Sequence, residues 1–268
     1  MNAVSMPGTG YFQDRNITTR YRIEGSGPTV VLIHGVGGQL DMWDPIVPHL
    51  SDRFRVIRYD LRGFGESTRV KGRYEVGSYI EDFASLMHHL KVERCHLVGQ
   101  SLGGIIAQGI ALTYGGMIDR LVLSSTIGGV NAEDKAFLRE RYLKVRDGAD
   151  AQDHFDRSLE VYFSPEYLKA HPDAVLKERE ARRDIDPECF AAAYRIIAET
   201  DMVEDLHKVK SRTLVQTGEL DRASPQMAKA MARAIPDSRV VIYKGLRHRL
   251  VAEAPDLVGQ TIRDFLLA

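Results

Sequence analysis

Apolar positions along this chain gather into short, nearly unbroken runs: PTVVLIHG (28–35), FRVIRYD (54–60), RCHLVGQ (94–100), RLVLSST (120–126), RTLVQTG (212–218) and RVVIYKG (239–245). Runs rich in Val, Ile and Leu that lack a polar face predict strands covered on both sides, as in a parallel sheet sandwiched by helices. Helix-like segments at 41–50, 77–91, 102–114, 225–235 and 254–267 separate most of them. Strand alternating with helix predicts the α/β class, with a mostly parallel central sheet flanked by helices. The first two dozen residues, with RNITTRYRIEG, read instead as antiparallel edge strands ahead of the parallel part.

The alternation stops between about Asn131 and Val209, where the text turns helical and charged: EDKAFLRERYLKVRDG, DAQDHFDRSLEVYF, PECFAAAYRIIAE. The expected organisation is a core of 1–130 and 210–268 with a helical cap, 131–209, inserted between two strands. An insertion at the carboxyl ends of the strands lies over the crevice where open α/β sheets bind ligands, which makes it a lid or, on the plainer reading, a structural or oligomerising appendage.

Composition adds limits. With 44% hydrophobic and 27% charged residues the chain has apolar surface enough for a large core, and a formal net charge of -1 gives no reason to expect nucleic acid or an anionic membrane as partner. Cys95 and Cys189 lie far apart without metal-ligand spacing, which suits a reducing compartment. No basic start followed by an apolar stretch opens the chain, and no run reaches the eighteen or so apolar residues of a membrane span, so the expectation is a cytoplasmic protein.

The chemistry begins at GQSLGG, where Gly99, Gly103 and Gly104 flank Ser101 between an apolar strand and an apolar helix. G-x-S-x-G in that setting is a nucleophile elbow, which lifts the serine oxygen above the sheet and aims a helix amino terminus at it. A serine hydroxyl is a poor nucleophile at neutral pH, so it needs a base and a group that orients the base. Of the nine histidines, His248 alone lies in the loop between the last strand and the final helix, in KGLRHRLVAEAPD. QTGELDRASP offers Glu219 and Asp221, and Asp221, deeper in the loop before Ser224-Pro225, is the expected orienting acid. The order Ser101, Asp221, His248 is the one this architecture uses. The glycine-rich turn in LIHGVGG supplies free backbone amides, so the expected oxyanion donors are Val36 and Leu102. His34 reads as a brace of that turn or a substrate contact, Trp43 as core or cleft wall, and Asp60 and Arg62 as residues that fix the YDLRGFGEST loop.

Those motifs, in that order, resemble the α/β-hydrolases along essentially the whole chain. MWDPIVPHLSDRFRVIRYDLRGFGES and YFSPEYLKAHPDAV resemble the 3-oxoadipate enol-lactonase and carboxylesterase branch. The resemblance implies a small-molecule ester or lactone substrate, no metal and no organic cofactor, with Ser101 as nucleophile, His248 as base and Asp221 as its orienter. Departures are Leu102 where the branch often has Met, Tyr162 where it has a cap Trp, and Arg247 where most members have Gly before the base. Arg247 and Arg249 either pair with a substrate carboxylate or face solvent. Other expected contacts from the cap are Arg139, Tyr142, Arg146, Tyr162 and Tyr194. Two other functions fit the same residues: hydrolysis of a carbon-carbon bond in an aromatic ring-cleavage product, and, in a different class, a non-catalytic ligand sensor.

Overall fold

Each apolar run becomes a strand because its successive side chains enter cores on opposite faces. A computed structural model describes residues 8–129, 132–146, 159–180 and 184–268. The strands are β1 Gly8–Asp14, β2 Ile17–Glu24, β3 Thr29–Ile33, β4 Arg55–Tyr59, β5 Cys95–Gln100, β6 Ile118–Ser124, β7 Arg212–Gly218 and β8 Ser238–Tyr243. They form one sheet in the order β1-β2-β4-β3-β5-β6-β7-β8. β1 and β2 are an antiparallel hairpin that joins β4 antiparallel, and all later pairings are parallel.

The helices are α1 Val47–Leu50, α2 Val76–His89, α3 Leu102–Thr113, α4 Ala132–Arg146, α5 Leu159–Tyr162, α6 Pro165–Ala170, α7 Pro172–Glu180, α8 Pro187–Glu199, α9 Pro225–Ala234, α10 Leu250–Glu253 and α11 Pro255–Leu267. Val31 and Ile33 pack with α2, α3 and α8, whereas Val30 and Leu32 pack with Trp43 and with Val258, Ile262 and Phe265 of α11. That split follows from the two-residue period of a strand. None of the described helices is long and apolar enough to cross a membrane.

Two features differ from the sequence pattern. The segment 41–50 is a 3-10 turn, Leu40–Trp43, followed by the single turn of α1. Pro45 and Pro48 remove amides from an α-helical ladder, and Asp44, Ile46 and His49 bond three residues back, to Asp41, Trp43 and Ile46. Trp43 is fully buried among Val30, Leu32 and Ile46, so it is a core residue and no part of the cleft wall.

Between β6 and β7 the described residues carry α4 to α8 and a 3-10 turn, Val203–Lys208, with no strand. The helix α8 starts at Asp186, whose side chain accepts from the amides of Glu188 and Cys189 at 2.9 and 3.1 Å, with Pro187 at the first helical position. Its buried residues run from Cys189 to Ala198, interrupted only at Arg195. The sheet order reverses about β3, whose neighbours are β4 and β5. The crevice therefore opens beyond the carboxyl ends of β3 and β5, beneath these helices.

Candidate active site

Ser101 sits at the tip of β5 with φ 56° and ψ -118°, a left-handed conformation that a non-glycine residue holds only under constraint. The constraint is visible. Its amide donates to the Ser124 carbonyl at 3.0 Å, and its own carbonyl accepts from the Gly104 amide at 2.9 Å and from Thr126 Oγ1 at 2.7 Å. The flanking glycines permit a close approach: a Cβ on Gly99 would lie 2.2 Å from the Gly103 carbonyl oxygen, and one on Gly103 would lie 2.2 Å from that of Ile33. Leu102 opens α3, so its amide has no carbonyl a turn earlier in the helix to bond, and the positive end of the helix dipole faces the same spot.

Asp221 follows β7, and its side chain is fully buried. It accepts from His248 Nδ1 at 3.0 and 3.2 Å on its two oxygens, from the Ala223 amide at 2.9 Å and from Thr217 Oγ1 at 3.2 Å. Burial disfavours the charged carboxylate, but the positive charge of the imidazolium, together with hydrogen bonds from His248 and the Ala223 amide, outweighs it and holds the Asp221 carboxyl below the usual range. With Nδ1 donating to Asp221, Nε2 of His248 is left as the basic nitrogen. Gln100 Nε2 donates to the His248 carbonyl at 3.2 Å, so His248 is also tied to the strand that leads to Ser101.

A cavity of about 130 Å³ brings Ser101 and His248 together, with Gly35 and Val36 from the turn after β3 on its wall. Tyr162 and Tyr194 line it from above; their hydroxyls are 2.8 Å apart, and the Tyr162 ring lies 5.7 Å from the His248 ring. The remaining lining is mainly apolar, including Ile105, Ile127, Leu138, Ile197 and Met227.

Several expected contacts fall elsewhere. His34 is fully buried: its Nε2 accepts from the Leu61 amide at 2.9 Å, leaving Nδ1 to donate to the Gly35 carbonyl at 2.8 Å, so it braces the turn and does not line the cavity. Arg139 is exposed on α4 and absent from the lining. Arg247 is half-buried and also absent from it. The side chains of Tyr142 and Arg146 lie outside the described residues. Asp60 holds its loop by accepting from the amides of Leu40 and Glu66 at 2.7 and 2.9 Å, while Arg62 forms a two-pronged pair with Asp82 of α2 at 2.6 Å.

Four polar lining residues, Gln100, Ser125, Thr126 and Arg222, carry no mark as cavity residues in the sequence. Gln100 immediately precedes Ser101. Arg222, directly after Asp221, lies with its guanidinium 3.5 Å from the ring centroid of Phe137, another lining residue. Arg249, expected either at a substrate carboxylate or in solvent, lines the cavity, is buried and is ion-paired with Glu178 of α7. Adjacency to Asp221 was the available signal for Arg222.

A family model described as alpha/beta hydrolase fold matches residues 28–255. Among solved structures, the enol-lactonase from Burkholderia xenovorans LB400 superposes with a TM-score of 0.91 at 29% identity, covering 97% of this chain and all of that one. A thermophilic esterase from Thermogutta terrifontis with malate bound gives 0.87 at 31% identity, covering 94% and 93%. Among curated proteins, the (E)-2-((N-methylformamido)methylene)succinate hydrolase of Acinetobacter baylyi is 26% identical over 256 residues, 94% of this chain and 95% of the relative.

Proposed function

Because the chain belongs to the α/β-hydrolase family, we propose that it is a serine hydrolase that opens a small carboxylic ester or enol-lactone through an acyl-enzyme on Ser101. The observation that carries this reading is the contact of His248 Nδ1 with buried Asp221 at 3.0 Å, with His248 and Ser101 on the wall of one cavity. Likeness to an enol-lactonase and an esterase supports the substrate class.

In the proposed cycle His248 Nε2 takes the Ser101 proton as Oγ attacks the carbonyl carbon. The tetrahedral oxyanion receives the Val36 and Leu102 amides, each such donor contributing about 3 kcal/mol in the transition state. Collapse expels the alkoxide or enolate, which takes the proton from His248. A water then gives His248 a proton and attacks the ester carbonyl, releasing the acid and restoring Ser101. Asp221 keeps the imidazole in the tautomer with Nδ1 protonated and stabilises the imidazolium, without itself taking the proton. No metal or organic cofactor takes part in this cycle.

The test is turnover by the purified protein of a carboxylate-bearing enol-lactone, a neutral short-chain ester and a vinylogous diketone ring-cleavage product, beside Ser101→Ala. The expected result is turnover of lactone or ester ahead of diketone, and a loss of kcat of about 10⁴- to 10⁶-fold in the variant. A diketone cleaved faster than both would shift the reaction to carbon-carbon hydrolysis. Equal turnover by variant and wild type would end the serine mechanism and leave a ligand-sensing role.

A further inference from the structure

The loop of His248 is held at each of three consecutive residues, by three different parts of the molecule. The Arg247 amide donates to Glu253 Oε1 at 2.9 Å, the His248 carbonyl accepts from Gln100 at 3.2 Å, and the Arg249 amide donates to the Tyr162 carbonyl at 3.0 Å. The other oxygen of Glu253 accepts from the Ser164 amide at 2.8 Å. Ser164 begins α6, where its side chain accepts from the Tyr167 amide at 3.3 Å.

One carboxylate therefore joins the loop of the base to the turn between α5 and α6, where Ser164 lies 89 residues before Glu253 in the chain. Bonds from backbone amides to an ionised acceptor are stronger than neutral ones, and neither amide belongs to the interior of a helix or strand that would otherwise satisfy it. Glu253 ends α10, whose Leu250 and Val251 are buried, so its position is set by the core. The Arg249 pair with Glu178 of α7 adds a tie between the same two bodies. Two residues before Ser164, Tyr162 places its ring beside His248.

We propose that Glu253 is a positioning residue of the hydrolytic site: it fastens the base loop to the cap helices, so that His248 holds its place over Ser101 while those helices are seated. This rests on the serine-hydrolase reading. A carboxylate that served stability alone would leave the chemistry of each folded molecule unchanged.

The full chain is compared with Glu253→Gln and Glu253→Ala. Glutamine keeps the volume but offers one acceptor oxygen in place of two, so one of the two amides loses its partner. Four quantities are measured: kcat on p-nitrophenyl acetate per site titrated with a fluorophosphonate, KM, Tm, and the downfield proton resonance of the imidazole Nδ1-H in the absence of substrate. Glu253→Gln is expected to lower kcat about 10-fold and Glu253→Ala up to about 100-fold, with KM within about 3-fold of wild type. The imidazole resonance should broaden in both. Wild-type kcat per titrated site together with a sharp resonance, whatever the Tm, would overturn the proposal. If Glu253→Ala fails to fold, Glu253→Gln decides alone. Undiminished turnover by Ser101→Ala would remove the serine mechanism, and the resonance of Glu253→Gln would still decide whether this carboxylate positions the base.

Discussion

The carboxyl beside His248 carries a consequence for the stability of the fold. Asp221 has its carboxyl held below the ordinary value of about 3.9. A carboxyl depressed in the folded state stabilises the fold at pH values above the unfolded one, and that contribution is lost as pH falls through the depressed value. Urea midpoints of wild type and Asp221→Asn should therefore differ at pH 7 and draw together only as pH falls through the depressed value of the folded carboxyl, where both side chains become neutral. At pH 7 the same variant should lose about 10⁴-fold in kcat, since an amide permits the wrong imidazole tautomer. Ser101, Asp221 and His248 were legible because each follows an apolar strand that locates it along the chain. Residues of the cap were not. The sequence of α4, EDKAFLRERYLKVR, scatters charge around the helix and does not mark an inner side, so exposed Arg139 and cavity-lining Phe137 and Leu138 could not be told apart. Arg222 escaped notice because its contact is with Phe137, a residue of that same helix.

Packing at the elbow makes its own demand at the level of elements. α3 leaves β5 so abruptly that a methyl group on Gly103 would meet the Ile33 carbonyl oxygen at 2.2 Å, and this oxygen belongs to backbone that cannot rotate away. Gly103→Ala should lower stability by about 1–3 kcal/mol, read as a lower urea midpoint with an unchanged slope. Gly77, in the first turn of α2, has nothing within 4 Å of the corresponding point. Gly77→Ala should raise stability by about 0.5–1 kcal/mol through loss of unfolded-state freedom. The strands were readable as a set because burial on both faces leaves an apolar run that no surface element imitates. The segment 41–50 misled because its apolar spacing suits a helix while Pro45 and Pro48 withhold the amides needed to build one.

For the whole molecule, the sole tryptophan reports on the core while standing apart from the cavity. Trp43 is packed with Val30, Leu32 and Ile46 and lines no part of the cavity. Its emission should be short-wavelength in the native protein and shift to the red in urea. Titrating a small carboxylate product into the cavity should leave it unchanged, and quenching on saturation would mean that the core rearranges on binding. The helical insertion has a structural consequence of another kind. It departs from β6 and returns at β7, which lie side by side and pair from Arg120↔Arg212 to Ser124↔Gln216. The two strands are parallel, so the chain leaves at the carboxyl end of β6 and re-enters at the amino end of β7, opposite Arg120, about 13 Å further down the sheet; a connection that already makes this crossing can be lengthened at only a logarithmic cost. A foreign helical segment that makes the same crossing would leave Ser101, Asp221 and His248 in place after β5, β7 and β8. The part of the cavity wall formed by Leu138, Tyr162, Tyr194 and Ile197 is in this sense a detachable module, provided that the graft brings a backbone amide to the Glu253 oxygen that now accepts from Ser164.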